Sequence, residues 1–381
     1  MQEKMRLGDI ATYVNGYPFK PEDRGTEGLP IIRIQDLTGN SYDLGFYNGE
    51  YPSRIEINNG DVLISWSGSL GVYIWDRGKA LLNQHIFKVV FDKTEVDKQY
   101  YVFAVQHKLQ EMESKTHGAT MKHIVKSDFD NTVIPFPSCQ EQHEISKKLK
   151  LIQCIIHARQ QQLKSFDTLI KARFVEMFGD MLTNPMNWPE QRLEMIADIV
   201  SGITKGRKIQ TTELFDVPYM AVSNVKDGYI DWTTVKTIAA SQAEIDQYRL
   251  MPDDVLMTEG GDPDKLGRGA IIHNPPKDCI HQNHIFRVRL NQELILPVFM
   301  EQYLQQQRAK KYFLGCAKQT TGIASINMKQ LRALPMLLPP KELQDQFAAF
   351  VTQIDKSKAV VQAALDKAQL LFDSLMQQYF G

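Results

Sequence analysis

The chain states one pattern twice. Arg6-Leu-Gly-Asp-Ile-Ala11 leads to Gly16, and Arg192-Leu-Glu-Met-Ile-Ala197 leads to Gly202. Leu29-Pro-Ile-Ile-Arg-Ile-Gln-Asp-Leu37 returns as Val217-Pro-Tyr-Met-Ala-Val-Ser-Asn-Val225. Gly60-Asp-Val-Leu63 returns as Asp253-Asp-Val-Leu256, and Gln84-His-Ile-Phe-Lys-Val89 as Asn283-His-Ile-Phe-Arg-Val288. Residues 142–179 then realign with residues 344–381. A duplicated chain folds as two similar units and suits a partner with two similar halves. The 381 residues suffice for two domains with cores of their own.

The second half of each repeat reads as a long helix. After Pro137 the apolar residues fall at Ile145, Leu149, Ile152, Ile156, Leu163, Phe166, Ile170 and Met177, with Arg159 and Arg173 in the two remaining places. The second copy places Phe347, Val351, Ile354, Lys358, Val361, Leu365, Ala368, Phe372, Leu375 and Tyr379 at the same steps, each 202 positions on. An alternation of four and three without internal Gly or Pro marks a coiled-coil helix. The alternative is one amphipathic helix per domain, packed on that domain alone. Against it stand the length, roughly 50 Å at 1.5 Å per residue, and the complementary exceptions. Arg159 and Arg173 in one seam face Val361 and Leu375 as counterparts in the other, and Lys358 has Ile156 as its counterpart. Long basic stems lie well along a neighbouring apolar surface.

The expected organisation is α+β. It has a first mixed domain (1–138), a central long helix (139–179), a second mixed domain (180–340) and a C-terminal long helix (341–381). The helices are expected to run antiparallel about a pseudo-two-fold axis, with a near-circular chain path that brings Gly381 towards Arg6. Within the mixed domains, residues 30–34, 61–65, 85–91 and 132–136 read as strands and 96–115 as a helix.

Three loops in each copy carry groups suited to nucleic acid. In the first copy they are 15–20, 65–71 and 115–123, with Lys20, Ser65, Ser67, Ser69, Thr120, Lys122 and His123 as candidate contacts. In the second they are 201–208, 259–268 and 318–327, with Thr204, Lys205, Arg207, Lys208, Lys265, Arg268, Gln319, Thr320, Thr321, Ser325 and Asn327. Glycines admit close approach of backbone to phosphate, basic and hydroxyl side chains hold phosphate oxygens, and Gln, Asn and Arg read base edges. Any one of these loops alone reads more readily as a solvated turn than as a contact; the recurrence at matching places carries the inference. A net charge of -1 argues mildly against a nucleic-acid binder but leaves room for local basic loops.

Other chemistries find little support. Four cysteines (Cys139, Cys154, Cys279 and Cys316) form no CxxC pair and no metal spacing, which fits a reducing cytoplasm. No apolar run is long enough for a bilayer, so no membrane partner is expected. Asn274-Pro-Pro-Lys277 resembles the opening of an amino-methyltransferase motif but has lysine where the aromatic residue belongs, and reads as a turn. Residues 202–208 fall short of a phosphate-binding loop and lack its Lys-Ser/Thr ending. His85 and His284 recur without a paired nucleophile and read as core or turn residues. The chain is expected not to be an enzyme and to hold no cofactor or metal.

The order of these pieces resembles the specificity subunit of type I restriction-modification enzymes. The opening Arg-Leu-Gly-Asp-Ile-Ala, the 30–37 strand, Gly60-Asp-Val-Leu-Ile-Ser65 and Asn83-Gln-His85 carry the resemblance. So does the close on Ile134-Pro-Phe-Pro137 with Glu141, Gln142 and Ile145; the second copy closes on Leu337-Leu-Pro-Pro340 with Gln344 and Phe347. The resemblance implies two target-recognition domains, each reading half of a bipartite double-stranded DNA site with an unread spacer. It also implies two methyltransferase subunits, where S-adenosylmethionine would bind, a restriction-translocase subunit, and a bacterial or archaeal cytoplasm. The helical pair would set the spacer. Two departures are present: Gln344 lacks the preceding glutamate, and the second domain has extra acidic residues at Asp253, Asp254, Asp262 and Asp264. The target is therefore expected to be asymmetric. A coiled-coil protein scaffold and a divergent DNA adenine methyltransferase are the competing readings.

Overall fold

The computed structural model describes residues 3–40, 43–115, 124–208, 213–261, 266–320 and 323–381. Among them no helix is long and apolar enough to cross a membrane. The chain divides into two units, residues 1–160 with 362–381, and residues 161–361. The division cuts both long helices, so each unit owns part of each.

In the first unit, Thr12–Asn15, Ile86–Val90, Val62–Ser65 and Gly71–Ile74 form one antiparallel sheet in that order. The inner strand Val62–Ser65 is buried along its whole length, as a run of β-branched and aliphatic residues favours. A second sheet runs Phe46–Tyr47, Leu29–Ile32, Ala80–Leu82, Glu56–Ile57, with the central pair parallel. Lys4–Arg6 pairs with Val133–Pro135 to close the domain. The helix Lys98–Lys115 lays Tyr100, Tyr101, Phe103, Val105 and Leu109 into the core.

The second unit repeats this plan. Ala197–Ser201, Ile285–Leu290, Val255–Thr258 and Gly269–Ile271 form the same antiparallel order. Lys236–Ala240, Phe215–Met220 and Ile280–His281 form the second sheet, again with one parallel pair. Glu190–Arg192 closes on Pro335–Leu337. An additional small sheet of Gly260–Gly261, Ile323–Ser325 and Lys318–Thr320 joins two loops.

Two repeated positions show why the sequence is kept. A side chain on Gly16 would place its Cβ 2.0 Å from the Asn83 carbonyl oxygen, and on Gly202 2.0 Å from that of His281; only glycine fits that approach. Gly60 has φ 90° and donates to the Trp75 carbonyl, while Asp253 has φ 70° and donates to that of Ile272. Asp253 therefore takes the left-handed place of a glycine in one shared turn. Its neighbour Asp254 is buried, accepts from Met251 N at 2.7 Å and pairs with Arg289 at 2.7 Å. These two aspartates hold a turn and are not the extra acidic recognition loop the sequence led us to expect; Asp262 and Asp264 lie outside the described residues.

The long helices run Cys139–Phe178 and Lys341–Phe380, 40 residues each. In the first unit Ile145 and Leu149, near the start of one, share a core with Met376 and Phe380 at the end of the other, flanked by Phe372, Leu375 and Tyr379. In the second unit Ile170, Phe174 and Phe178 share a core with Phe347 and Ile354, flanked by Phe166, Met177 and Val351. Start meets end in both units, so the segments run antiparallel. Ile152, Ile156 and Val361 are buried and Leu163 and Leu365 half-buried, while Leu151, Ile155, Val360 and Leu370 between them are exposed. The basic exceptions are accommodated in the second unit: the Arg173 guanidinium lies 5.8 Å from the centre of the Phe350 ring, and Lys358 reaches Asp167 at 2.7 Å. Phe174, Phe178, Met376 and Phe380 lie outside the four-three rhythm. They continue in steps of four where each helix end, still beside the start of its partner, enters a domain core.

A buried glutamine fastens each helix to its domain. Gln142 accepts from Asp97 N at 3.0 Å and donates to Pro137 O at 2.8 Å. Gln344 accepts from Leu296 N at 2.9 Å and donates to Leu294 O at 3.0 Å and Pro339 O at 2.9 Å. The missing glutamate of the second copy also has a cause. Ser138 and Glu141 form a reciprocal cap in the first copy, Ser138 Oγ donating to Glu141 at 2.7 Å; Pro340 and Leu343 stand at those places in the second, so no such cap exists to need the carboxylate. Gln344→Ala strands buried backbone groups and is expected to cost about 1–3 kcal/mol, read as a lower urea midpoint at unchanged slope.

Candidate nucleic-acid interface

Strand ends decide which loops meet. In the first domain Asn15 pairs with Phe87, and Ser65 with both Ile86 and Gly71. The loops 16–20, 66–70 and 83–85 therefore leave one end of one sheet. In the second domain Ser201 pairs with Phe286, Thr258 with Ile285 and Met257 with Gly269, so 202–208, 259–268 and 282–284 leave the matching end. A matching hydrogen bond ties in the third loop of each copy, Ile124 N to Trp66 O at 3.0 Å and Ile326 N to Glu259 O at 2.8 Å.

A shallow cleft opens at this end in both domains. Arg33, Ile34, Gln35, Asn83, Gln84 and His85 line the first, about 220 Å³. Val222, Glu259, Gly260, His284 and Ser325 line the second, about 350 Å³. The floor is built alike: Asp36 accepts from Arg33 N at 2.8 Å, and Asn224 from Ala221 N at 2.9 Å, each from a buried side chain. The turn residue His85 has φ 72°, and its carbonyl accepts from Trp66 N at 3.2 Å as that of His284 accepts from Glu259 N at 3.0 Å. Both are turn histidines; His281, by contrast, is fully buried, and burial holds its pKa down to about 4.

A third cleft, about 380 Å³, in the second domain gathers Lys226, Arg268 and Lys310, with Asp227, beside Tyr229, which is 60% exposed. Cations around an accessible ring suit a sugar-phosphate backbone. Gly267 carries this loop past Phe313, whose ring lies 2.2 Å from where a Cβ would stand.

The candidate residues sort by exposure and by partner. Lys20, Ser69, Thr204, Lys205 and Lys208 are exposed and Ser67 half-buried on the converging loops. Arg268 lines the basic cleft and Ser325 the shared one. Gln319 and Thr320 lie on the small extra strand, opposite Ala324 and Ile323. Asn327 is exposed but caps the helix Met328–Arg332, accepting from Gln330 N at 3.0 Å. Thr120, Lys122, His123, Lys265 and Thr321 lie outside the described residues. Two candidates are corrected. Ser65 is fully buried and donates to Ser69 O at 2.7 Å, so it closes its loop from inside. Arg207 is committed to Glu244 through bonds of 2.5 and 2.7 Å and to Ala239 O at 3.0 Å; a bidentate guanidinium so held is not free for phosphate.

The Arg207 hydrogen bond is the main cause that holds the Glu244 carboxyl down at about 2 from its ordinary 4.5. A depressed carboxyl stabilises the fold fully above about pH 4.5 and loses that contribution as pH falls towards 2. The stability difference between Glu244→Gln and the unaltered chain is therefore expected to shrink across that window in acid titrations followed by circular dichroism.

Sequence reasoning passed over Gln35, Gln84, Asn283 and Glu259 as contacts, along with Lys226, Tyr229 and Lys310. Recurrence of Gln84-His85 as Asn283-His284 was the available signal for the first group. The basic cleft gave none, because its residues come from separate elements of one copy.

Known proteins of this build carry the same plan. A solved type I restriction-modification S subunit from M. genitalium superposes with a TM-score of 0.57 at 17% identity, covering 100% of this chain and 96% of that one. A structure on complex assembly and conformational transition of the type I R-M system gives 0.58 at 17%, covering 99% and 97%. The type I restriction enzyme EcoBI specificity subunit of Escherichia coli is 23% identical across 99% of this chain and 85% of its own length. The EcoKI specificity subunit of Escherichia coli K12 is 22% identical across 98% and 87%. The model of the type I restriction modification DNA specificity domain matches residues 2–165 and again 185–368. Two matches, one on each repeat, place this chain in the type I restriction-modification DNA specificity family.

Proposed function

We propose that each domain reads one half of an asymmetric bipartite double-stranded DNA site through the loops at its sheet end. The supporting observation is the matched cleft: one backbone frame and one histidine in both copies, with different neighbours around it. As a specificity subunit the chain contributes recognition and no covalent chemistry. Two adenine methyltransferase subunits holding S-adenosylmethionine, and a restriction-translocase subunit, complete the assembly in a bacterial or archaeal cytoplasm. The long helices that join the readers set the unread spacer.

The test is adenine-methylation mapping in cells carrying this chain with its methyltransferase, together with salt titration of duplex binding by the purified complex. One bipartite motif and a steep fall of affinity with salt are expected. No binding to any duplex would favour a protein scaffold, and methyl transfer by the isolated chain would favour an enzyme. Lengthening both helices by four residues, about one turn, is expected to lengthen the spacer and leave both half-sites as they were.

A further inference from the structure

Two readers of different sequences must agree where their targets agree and differ where their targets differ. The matched clefts allow that comparison within one chain. Trp66 and Glu259 occupy the same place: each donates its N–H to the carbonyl of the following turn histidine, and each carbonyl accepts from the N–H of a residue after the third loop, Ile124 or Ile326. The backbone frame is common to both, and the side chains have nothing in common.

The surroundings follow the side chain. Trp66 stacks on Phe87 at 5.5 Å between ring centres, meets the His85 ring edge-on at 4.9 Å, and points its indole nitrogen at Asn15 Oδ1, 3.4 Å away. Trp66 packs against the domain core, whereas Glu259 brings a carboxylate to the lining of its cleft, with Oε2 2.5 Å from His284 Nδ1 and the side chain 33% exposed. The histidines share a turn position but not a backbone conformation, φ being positive at His85, 72°, and not at His284. Nδ1 of His85 is buried and Nδ1 of His284 is held by Glu259, while Nε2 of His284 lies 3.5 Å from Asn283 Nδ2. A carboxylate that fixes one imidazole nitrogen orients the other.

We propose that positions 66 and 259 are one specificity position, while His85 and His284 make a contact common to both half-sites. Glu259 accepts from the exocyclic amino group of a cytosine, and the Trp66 ring offers no such acceptor. The histidines contact the sugar-phosphate backbone, which every site presents. This rests on the reading that the clefts face DNA.

The test uses the full chain with its methyltransferase subunits, scored by methylation mapping and duplex binding. Glu259→Ala is expected to weaken the unaltered site by about 5- to 150-fold and to relax one base pair of the second half-site only. Glu259→Gln, which keeps the shape and the tie to His284, is the companion should the alanine variant fold poorly; it too should relax that base pair. His284→Ala is expected to weaken all duplexes alike and to leave base preference unchanged. Unchanged base preference in both Glu259 variants, a Glu259→Ala effect that merely copies His284→Ala, or altered base preference in His284→Ala would each overturn the assignment while the DNA-reading function stands. Absence of any sequence-selective methylation by the unaltered complex would overturn that function instead.

Discussion

Exchanging residues 1–138 for the recognition domain of another specificity subunit is expected to replace one half of the DNA target and leave the other untouched. The physical ground is that each domain carries its own sheets, core and cleft. Each mismatched base pair costs about 1–3 kcal/mol, and several together reach the thousandfold or more that separates specific from non-specific binding. Methylation mapping of the chimaera should therefore show the old composite site lost and a new one gained, with the second half-site and spacer kept. The exchange has a structural condition. Leu149, Met376 and Phe380 enter the first domain's core from the long helices, and Gln142 ties to Asp97 and Pro137. An incoming domain that lacks apolar counterparts for these, or the backbone groups for the glutamine, should give an unstable chimaera. A change in both half-sites would mean that the domains do not read independently.

The parts of this architecture legible in the sequence were those governed by a long period. The offset of 202 positions and the four-three rhythm depend on many residues at once, so local exceptions such as Arg173 and Lys358 did not hide them. The rhythm missed residues at the helix ends, because Phe174 and Phe178 fill a domain core as well as meeting Phe347 of the other long helix. Short elements were legible to a residue or two: the stretch read as a strand over 30–34 is a strand at Leu29–Ile32 that turns at once into the helix Ile34–Thr38. That turn is what carries Gln35 to the cleft, and periodicity does not report turns. Residue chemistry misled where a polar group already had a partner. Ser65, Arg207, Asp253 and Asp254 have the composition of a DNA-reading loop, yet each is spent on holding its own loop in place.

Phe178→Ala is expected to lower the stability of the second unit by about 3–5 kcal/mol, the range for a phenylalanine emptied from a packed core. The side chain has no exposure, and its ring centre lies 4.9 Å from those of Phe174 and Phe299 and 5.5 Å from that of Phe347. One residue thus joins the end of the central helix, the start of the C-terminal helix and a domain helix. Its carbonyl also receives the Trp188 indole N–H at 2.9 Å, which fixes the chain's entry into the second domain. For a unit of this size each kcal/mol moves the midpoint by about 2–4 °C, so a fall of roughly 6–20 °C is expected. The loss should be local. Trp188 and Trp232 lie in the second unit and Trp66 and Trp75 in the first, and hydrogen exchange should show the second unit opening while the first keeps its protection. Discrimination at the second half-site should fail with it at temperatures where the first half-site is still read. A variant as stable as the unaltered chain would mean that the helix end is not anchored in that core, and Phe380→Ala, at the corresponding place in the first unit, should then be silent as well.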